Sequence, residues 1–343
     1  MRAPQFWTRE QPSLQAALLA PIASLWGAIA ARKMERARPP AQIPVLCVGN
    51  FVVGGAGKTP VAARVCEILD RLGLAPAILS RGYGGALSGK KPVRVDLDRH
   101  GAKEVGDEPA LLARIATVVI GSDRHASCAL ACALGADALV MDDGFQSAPF
   151  KTVSLIVVDA QIGVGNGRVL PAGPLRAPLS TQWKFASALF LLGEGKPGDC
   201  LAQQARARGL PVFRGVLRPD LAEGQKLAGQ RVLAFAGLGR PEKFYETLAA
   251  TGAQIVARRS FPDHHFYTQA DMRDLSGAAK AAGADRLVTT EKDYVRLPAG
   301  KRADATEPAI SALPVSVQIA EEAAFSDWLS RILRPGGSRR ASP

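Results

Sequence analysis

The eight residues from Val52 to Thr59, Val-Val-Gly-Gly-Ala-Gly-Lys-Thr, constrain the fold of this chain more than any other segment. They follow an apolar stretch, Ile43–Val48, that predicts a strand, and they precede a pattern that predicts a helix. In this order, glycines let backbone N–H groups face phosphate oxygens, the lysine reaches the β- and γ-phosphates, and the threonine hydroxyl ligates Mg²⁺. We therefore predict that the run binds a nucleotide through Val52, Val53, Gly54, Gly55, Ala56, Gly57, Lys58 and Thr59.

The match to this phosphate-binding motif is partial. Val52 stands where the consensus has its first glycine, six residues before the lysine. The alternative is an ordinary glycine-rich turn between a strand and a helix. We favour the nucleotide loop, because Gly-Lys-Thr lies at the strand–helix junction where the motif requires it.

The composition limits the classes of partner. The 343 residues carry a formal net charge of +12, which suits nucleic acid, an anionic membrane surface or an anionic substrate. No zinc-finger spacing or RNP-like motif is present, so we expect no nucleic-acid partner. Five dispersed cysteines are typical of a reducing compartment. His125, Cys128 and Cys132 share a helical face, and we expect core packing there rather than zinc.

The first forty residues predict an amphipathic helix. No charged residue lies between Glu10 and Arg32, and a basic segment of four cations, Arg32, Lys33, Arg36 and Arg38, follows directly. Large apolar residues recur at helical spacing between them, namely Leu14, Leu18, Leu19, Ile22, Leu25, Trp26 and Ile29. This pattern is typical of a helix lying in a membrane interface, although a helix packed on the body of the protein would show it too. A cleavable signal peptide is not expected.

The rest of the chain alternates strands with helices, which predicts a mainly parallel sheet covered on both faces. We predict an α/β fold of the P-loop NTPase type with four parts: the N-terminal amphipathic helix in 1–40, a P-loop core in 41–218, a smaller α/β domain in 219–335 and a disordered tail in 336–343. The predicted strands of the core are Ile43–Val48, Ala77–Ser80, Thr117–Gly121, Ala138–Asp142, Ser154–Asp159 and Ala188–Leu192. Those of the smaller domain are Val232–Phe235, Gln254–Ala257, Arg286–Thr289 and Val315–Ile319.

Acidic residues follow two of these segments. The strand Ala138–Asp142 ends in Asp142 and Asp143, the arrangement in which a carboxylate orients Mg²⁺ opposite the hydroxyl of the phosphate loop. The run Val-Gly-Asp-Glu-Pro places Asp107 and Glu108 at the start of a helix. Helix capping explains these two residues, and a base or a metal ligand facing the cleft is the alternative.

Two of the four histidines, His264 and His265, follow Asp263 in the run Phe-Pro-Asp-His-His-Phe-Tyr. An Asp–His contact can set the tautomer of the imidazole and its proton-transfer pKa. A surface turn accounts for the run equally well. The guanine-specific run Asn-Lys-x-Asp is absent from the chain, which argues against a GTPase.

Taken together, these motifs resemble those of the tetraacyldisaccharide 4′-kinase family, the lipid A 4′-kinases of Gram-negative bacteria. Besides the nucleotide loop, the resemblance rests on Ser80–Gly84 (Ser-Arg-Gly-Tyr-Gly), Val105–Pro109, Asp142–Gln146, Gly165–Arg176, Phe235–Glu242, Phe261–His265 and Thr290–Asp293. Gly85 and Ala177 stand where the family often has Arg and Glu. These departures concern single substrate contacts more than the reaction.

The resemblance implies transfer of the ATP γ-phosphoryl group to the 4′-hydroxyl of a tetraacyldisaccharide 1-phosphate at the cytoplasmic face of the inner membrane. It implies ATP and Mg²⁺ as cofactors, the anionic lipid and the membrane surface as partners, and no obligate protein partner. It implies Asp107 as general base paired with His264, beside the catalytic Lys58. It implies Thr59, Asp142, Asp143 and Glu108 at the metal, and Asn50, Arg81, Arg124 and Arg176 at the substrate.

Two alternatives to this function stay open at the level of sequence. The first is a P-loop kinase or ligase that acts on a different small substrate. The second is a membrane scaffold that hydrolyses ATP only to change conformation. Only a kinase couples each ATP consumed to one phosphorylated acceptor.

We predict that Lys58→Ala lowers the turnover of ATP by about 100-fold or more while the protein stays folded. The lysine ammonium compensates the charge that builds on the β- and γ-phosphates during transfer, and electrostatic contacts of this kind carry such rate factors. Steady-state kinetics together with a circular dichroism spectrum would check this. Activity close to that of the wild type would mean that the loop does not hold ATP.

Overall fold

The computed structural model of the chain describes residues 4–8, 13–89, 91–147, 150, 152–298 and 308–333. The predicted tail, 336–343, lies outside the described residues. The strands in chain order are β1 Val45–Gly49, β2 Pro76–Ser80, β3 Val93–Arg94, β4 Thr117–Ile120, β5 Ala138–Asp142, β6 Val153–Asp159, β7 Ala188–Leu192, β8 Val212–Pro219, β9 Arg231–Ala236, β10 Gln254–Ser260, β11 Arg286–Thr290, β12 Ala309–Leu313 and β13 Val315–Ile319. All ten predicted strands are therefore confirmed, whereas the sequence pattern did not predict β3, β8 and β12.

Helices occupy most of the connections between these strands. In chain order they are α1 Leu14–Leu18, α2 Ala20–Met34, α3 Lys58–Arg71, α4 Ala102–Val105, α5 Asp107–Leu112, α6 Arg124–Ala133, α7 Leu179–Phe185, α8 Lys196–Arg206, α9 Leu221–Leu227, α10 Pro241–Ala249, α11 Gln269–Ala281, α12 Glu291–Tyr294 and α13 Glu322–Leu333. A short 3₁₀ helix, Gln5–Trp7, precedes them.

The large sheet has the strand order β13-β8-β7-β6-β1-β5-β2-β4-β3, and its seven inner strands are parallel. The two outer strands, β13 and β3, run antiparallel to their neighbours. Helices α3, α5 and α13 pack on one face, and α2, α6, α7 and α8 pack on the other. Because both faces are covered, the inner strands are continuously apolar and buried, as is usual for parallel sheets. The predicted fold class is confirmed.

The smaller sheet has the order β10-β9-β11-β12, with all strands parallel. Helices α9 and α10 cover one face, where Phe244 and Leu248 are buried. Helix α11 covers the other face, where Met272 and Leu275 are buried. This unit therefore has a hydrophobic core of its own on each side of its sheet.

The C-terminal strand and helix belong to the large unit, which corrects the predicted range of the smaller domain. Strand β13 pairs with β8 through Val317 and Leu217, and Phe325 of α13 packs edge-to-face on Phe213, with 4.9 Å between the ring centroids. The smaller unit thus extends from about α9 to β12 rather than to residue 335. Alternation of buried and exposed residues in β13 is the same for an edge strand of either sheet, so the pattern could not assign it.

The predicted N-terminal helix is two consecutive helices, α1 and α2, which pack on the large unit and leave six large apolar residues exposed. Ala16, Ala23, Gly27 and Met34 are buried, and Gly27 lies against Pro178. Six large apolar side chains are between 51% and 77% exposed, namely Leu14, Leu18, Ile22, Leu25, Trp26 and Ile29. Among the described residues, none of the helices is both long and apolar enough to cross a membrane.

Candidate active site

The nucleotide loop between β1 and α3 is held in shape by its own backbone and by residues 174–176. Val53 donates its N–H to the carbonyl of Pro174, and Val52 forms a backbone bridge with Leu175. The Asn50 amide donates to the carbonyl of Gly54 at 3.3 Å. Asn50 therefore bonds the loop from inside, and the substrate contact that the family resemblance implied for it stays a prediction.

Glycine is required at the last position of this loop. Gly57 has φ +81°, and a Cβ there would overlap the side chain of Leu192. Helix α3 begins at the next residue, and no side chain caps its first turn. Its first N–H groups and the positive end of its dipole therefore remain available to an anion, as in other phosphate-binding loops.

Parallel pairing of β1 with β5 brings the predicted magnesium ligands together. Val48 lies beside Asp142 in the register, so the Asp142 carboxylate faces the start of α3. The Thr59 hydroxyl lies 3.5 Å from Asp142 Oδ2. The other oxygen, Asp142 Oδ1, is buried without a hydrogen-bond partner. Burial, and then the charge of Glu108, raise the pKa of Asp142 to about 7.

Asp143 turns the other way and forms ion pairs. Its backbone is left-handed, with φ +52°, and its carboxylate accepts two hydrogen bonds from Arg176, at 2.7 and 3.0 Å. Lys58 Nζ lies 3.6 Å from Asp143 Oδ2. Arg176 Nε also donates to the Val52 carbonyl, so this arginine joins the nucleotide loop to the end of β5. Burial alone would raise the pKa of Asp143, but Lys58 and Arg176 outweigh it and lower the pKa.

The predicted pair of Asp107 and His264 meets across the cleft between the two units. Asp107 begins α5 of the large unit, and His264 follows β10 of the smaller unit. His264 Nδ1 lies 3.1 Å from Asp107 Oδ2. The hydrogen bond to Asp107 raises the pKa of His264. His265 instead lies 3.1 Å from Asp271 and stacks on Phe261, inside the smaller unit.

An arginine that no sequence motif marked, Arg296, also binds Asp107. Arg296 Nε donates to Asp107 Oδ2 at 2.9 Å, and Arg296 Nη2 donates to the same oxygen. Burial alone would raise the pKa of Asp107. The hydrogen bond from His264 and the charge of Arg296 oppose this effect, and they hold the pKa well below its usual range. Asp107 is therefore ionised, and His264 Nδ1 carries the hydrogen that it donates.

The second acidic residue of this motif, Glu108, also meets a cation of the smaller unit. Lys292 Nζ donates to Glu108 Oε1 at 2.6 Å. Burial alone would raise the pKa of Glu108, but Lys292 outweighs it and lowers the pKa. Of the four predicted magnesium ligands, Thr59 and Asp142 thus face each other, while Asp143 and Glu108 are engaged with cations.

Two of the predicted substrate contacts, Arg124 and Arg81, lie near each other. Arg124 at the start of α6 is 7% exposed, and neither Nη1 nor Nη2 has a hydrogen-bond partner among the described residues. Burial, and then repulsion from Arg81, lower the pKa of Arg124 to about 10. Arg81 follows β2 and donates to the Ser147 hydroxyl at 2.6 Å. Two cations close together, one of them buried without a partner, form a site that suits an anion.

ATP and Mg²⁺ fit these residues. The orphaned oxygen of Asp142 lies beside a threonine hydroxyl, and Lys58 reaches the carbonyl of Gly54 within the loop. Among the described residues, no group of three or more His, Cys, Asp or Glu could hold a metal ion alone. Mg²⁺ in kinases is usually held by one or two protein oxygens together with phosphates, which this donor set matches.

The residues that the sequence offered as zinc ligands lie on and around helix α6. Cys128 is buried in the core beneath α6, and His125 lies edge-to-face on Phe150 at 5.4 Å. Cys128 thus packs in the core as expected, whereas His125 is exposed and Cys132 is only partly buried.

We predict that Asp142→Asn stabilises the protein without nucleotide or Mg²⁺, and more so at pH 8 than at pH 5. A raised folded-state pKa means that stability is complete below the unfolded value of about 3.9 and is lost as pH rises through about 7. The neutral amide avoids this loss. Thermal unfolding at both pH values checks it, with Asp70→Asn on the exposed end of α3 as control. Equal effects of Asp142→Asn at the two pH values would contradict the assignment.

Comparison with known proteins identifies the family of this chain. The family model for tetraacyldisaccharide-1-P 4′-kinase matches residues 15–334. A tetraacyldisaccharide 4′-kinase of Methylobacterium sp. (strain 4-46) is 52% identical over 323 residues, 94% of each chain. One of Rhodopseudomonas palustris (strain BisA53) is 48% identical over 99% of this chain and 98% of its own.

A solved structure shares the fold. The crystal structure of LpxK from Aquifex aeolicus in complex with ATP matches with a TM-score of 0.71 and 25% identity, over 94% of this chain and all of that one. The match covers both units, so the resemblance first drawn from motifs holds for the whole chain. The chain belongs to the tetraacyldisaccharide-1-P 4′-kinase family.

Proposed function

We propose that this chain transfers the γ-phosphoryl group of ATP to the 4′-hydroxyl of a tetraacyldisaccharide 1-phosphate. The observation that carries the proposal is the contact between His264 and Asp107, which completes a proton-accepting pair across the cleft from the nucleotide loop. Family membership supplies the reaction class, and the geometry of the cleft supports the roles proposed here for single residues.

The large unit holds the nucleotide in this proposal. Backbone N–H groups of the loop and the first turn of α3 bind the phosphates, and the Lys58 ammonium neutralises charge on the β- and γ-phosphates. Thr59 and Asp142 would hold Mg²⁺, which supplies charge neutralisation between the phosphates. Arg176 holds Asp143 and the loop together through its hydrogen bonds, and its contact with substrate stays a prediction.

The Asp107–His264 pair takes the proton from the acceptor hydroxyl. A sugar hydroxyl is a poor nucleophile at neutral pH, and a positioned base assists its attack. Asp107 acts as the general base that receives the hydroxyl proton, and His264 positions its carboxylate through the hydrogen bond from Nδ1. Since the pair forms only between the two units, turnover requires that they dock.

The acceptor approaches from the side of β2 and β4. Arg124 lacks a partner for its two terminal nitrogens, and Arg81 lies close enough to lower its pKa. An anionic group of the lipid acceptor would satisfy both guanidinium groups, because arginines bind phosphate through paired hydrogen bonds.

We predict that Asp107→Asn and His264→Gln each lower kcat by about 10²- to 10⁴-fold with little change in KM for ATP. The double variant should be scarcely slower than the slower single variant, since residues of one catalytic unit are not additive. The assay uses Mg-ATP and the disaccharide 1-phosphate in detergent, and it measures both the mass of the product and the ADP formed.

His265→Gln is the matched control, because His265 contacts Asp271 rather than Asp107, and its kcat should stay within about threefold. Fully multiplicative losses would contradict the paired mechanism. ADP without a phosphorylated lipid would support the scaffold function instead, and phosphorylation of soluble sugars only would indicate a different acceptor.

We further propose that the protein acts at the cytoplasmic face of the inner membrane, with the exposed stripe of α1 and α2 in the lipid interface. The six exposed apolar side chains form one surface, and the basic segment beginning at Arg32 follows it. Apolar residues would enter the acyl boundary while the cations meet anionic headgroups. The acyl chains of the substrate lie in the same membrane, so the protein is held at the surface that contains its substrate.

We predict that the triple substitution Leu18→Asn, Leu25→Asn and Ile29→Asn weakens binding to vesicles containing anionic phospholipid by at least about tenfold. Substitution is preferable to deletion of 1–38, because deletion would remove the fully buried Met34 and expose the core residues that it packs against. Co-sedimentation with phosphatidylglycerol vesicles measures the effect.

Leu221→Asn is the control, since Leu221 is an apolar residue of the smaller unit that is 79% exposed. Its binding should match that of the wild type. Unchanged co-sedimentation of the triple variant would rule out the interfacial role of the stripe.

A further inference from the structure

The Arg296 side chain bonds to both units. It follows α12 of the smaller unit, and its side chain is 1% exposed. Two of its nitrogens, Nε and Nη2, donate to Asp107 Oδ2 of the large unit. Arg296 Nη2 also lies 3.3 Å from His264 Nδ1, so the guanidinium touches both members of the proton-accepting pair.

The third nitrogen of the guanidinium is anchored within the smaller unit. Arg296 Nη1 donates to Asp293 Oδ1 and to the carbonyl of Gly237, both at 3.1 Å. Asp293 is fully buried, and it also accepts from the Tyr267 hydroxyl at 3.1 Å and from the Thr290 hydroxyl at 2.7 Å. The guanidinium plane is thereby fixed before it meets Asp107.

The same carbonyl fixes the backbone of His264. The His264 N–H donates to the Gly237 carbonyl at 3.2 Å, and His264 has the left-handed φ of +60° that costs free energy in a residue other than glycine. Gly237 itself cannot carry a side chain, because a Cβ would lie 2.9 Å from Asp293 Oδ1. The Gly237 carbonyl thus accepts hydrogen bonds from both the Arg296 side chain and the His264 backbone.

We propose that Arg296 is a positioning residue for phosphoryl transfer, which crosses the cleft to orient the Asp107 carboxylate toward His264 when the two units dock. This inference rests on the proposed function, because it assigns a role within the same site. Arg296 does more than hold the two units together, because each nitrogen of its guanidinium bonds the catalytic pair or the groups that hold this guanidinium in place.

A second ion pair between the units offers a comparison. Lys243 Nζ lies 2.7 Å from Asp159 Oδ2, and Arg240 Nη1 lies 3.3 Å from the same oxygen. These cations also join the smaller unit to the large one, yet they are about half exposed and touch neither Asp107 nor His264. Their loss weakens docking without disturbing the orientation of the catalytic pair.

The test compares Arg296→Met with Lys243→Met in the full-length protein, with kcat and KM for ATP and lipid measured for each. Arg296→Met should lower kcat by about 100-fold with KM for ATP changed less than about threefold, since orientation of a base contributes to the chemical step. Lys243→Met should keep kcat within about threefold. A kcat of Arg296→Met within threefold of wild type overturns the proposal, and so does an equal loss in Lys243→Met.

Coupling to Asp107 provides a second measurement. In an Asp107→Asn background, Arg296→Met should lower kcat by less than about threefold, because the carboxylate that it orients is already gone. A further loss of about 100-fold in that background would show an independent role and overturn the proposal.

Thermal unfolding of each variant separates misfolding from catalysis. If Arg296→Met does not fold, Arg296→Lys decides the question, because an ammonium keeps the charge but cannot bond Asp107 through two nitrogens while holding Gly237. Arg296→Lys with wild-type kcat would overturn the proposal, and a reduced kcat at unchanged KM would support it. If the wild-type protein forms no phosphorylated lipid, the proposed function fails. That result comes from the wild type alone and is distinct from every outcome of the Arg296 variants.

Discussion

The parallel pairing of β1 with β5 and β6 at the centre of the large sheet is the contact on which the rest of the structure depends. It places the ends of three buried strands at one edge, where the nucleotide loop, Asp142 and Asp159 emerge. A shift of register by two residues would move Asp142 by about 6–7 Å away from Thr59. Since these strands are buried on both faces, their packing against α3 and α8 opposes such a shift.

The smaller unit supplies two cations that pair with carboxylates of the large unit. Four carboxylates lie around the nucleotide loop and the cleft, namely Asp107, Glu108, Asp142 and Asp143. The smaller unit contributes Lys292 and Arg296 to the first two, while Lys58 and Arg176 of the large unit compensate Asp143. Buried charges without partners are costly, and these cations provide the partners. They also reduce the repulsion between the carboxylates and an anionic nucleotide.

Asp142 differs from the other three because no cation of the described residues bonds it directly. Its pKa is raised to about 7, whereas the pKa values of Asp107, Glu108 and Asp143 are lowered. An unpaired buried carboxylate beside a hydroxyl is a strained arrangement for the protein alone, and a bound cation would relieve it. This contrast is the physical reason why we propose Asp142, among these four carboxylates, as a ligand of Mg²⁺.

The sequence predicts best those structural features that residues close together in the chain encode. The order of β1, loop and α3 and the apolar runs of β5, β6 and β7 come from residues close together in the chain, and the structure has them within two residues of their predicted bounds. The proposed pairing of Asp107 with His264 came from family motifs, because nothing in either local pattern distinguishes a catalytic group from a cap or a turn. The edge strand β13 was assigned to the wrong sheet for a similar reason.

The sequence by itself determined the class of fold, the nucleotide loop and the carboxylates beside it, because spacing and periodicity encode strands, helices and turns locally. Only the tertiary structure decided which cation meets which carboxylate, that Arg296 belongs to the site, and that the N-terminal helix packs through Ala23 and Gly27 while its large apolar face stays exposed. Residues 189 positions apart, Asp107 and Arg296, come together only after two separately packed units dock. No local pattern records that distance, since it is set by the packing of both cores.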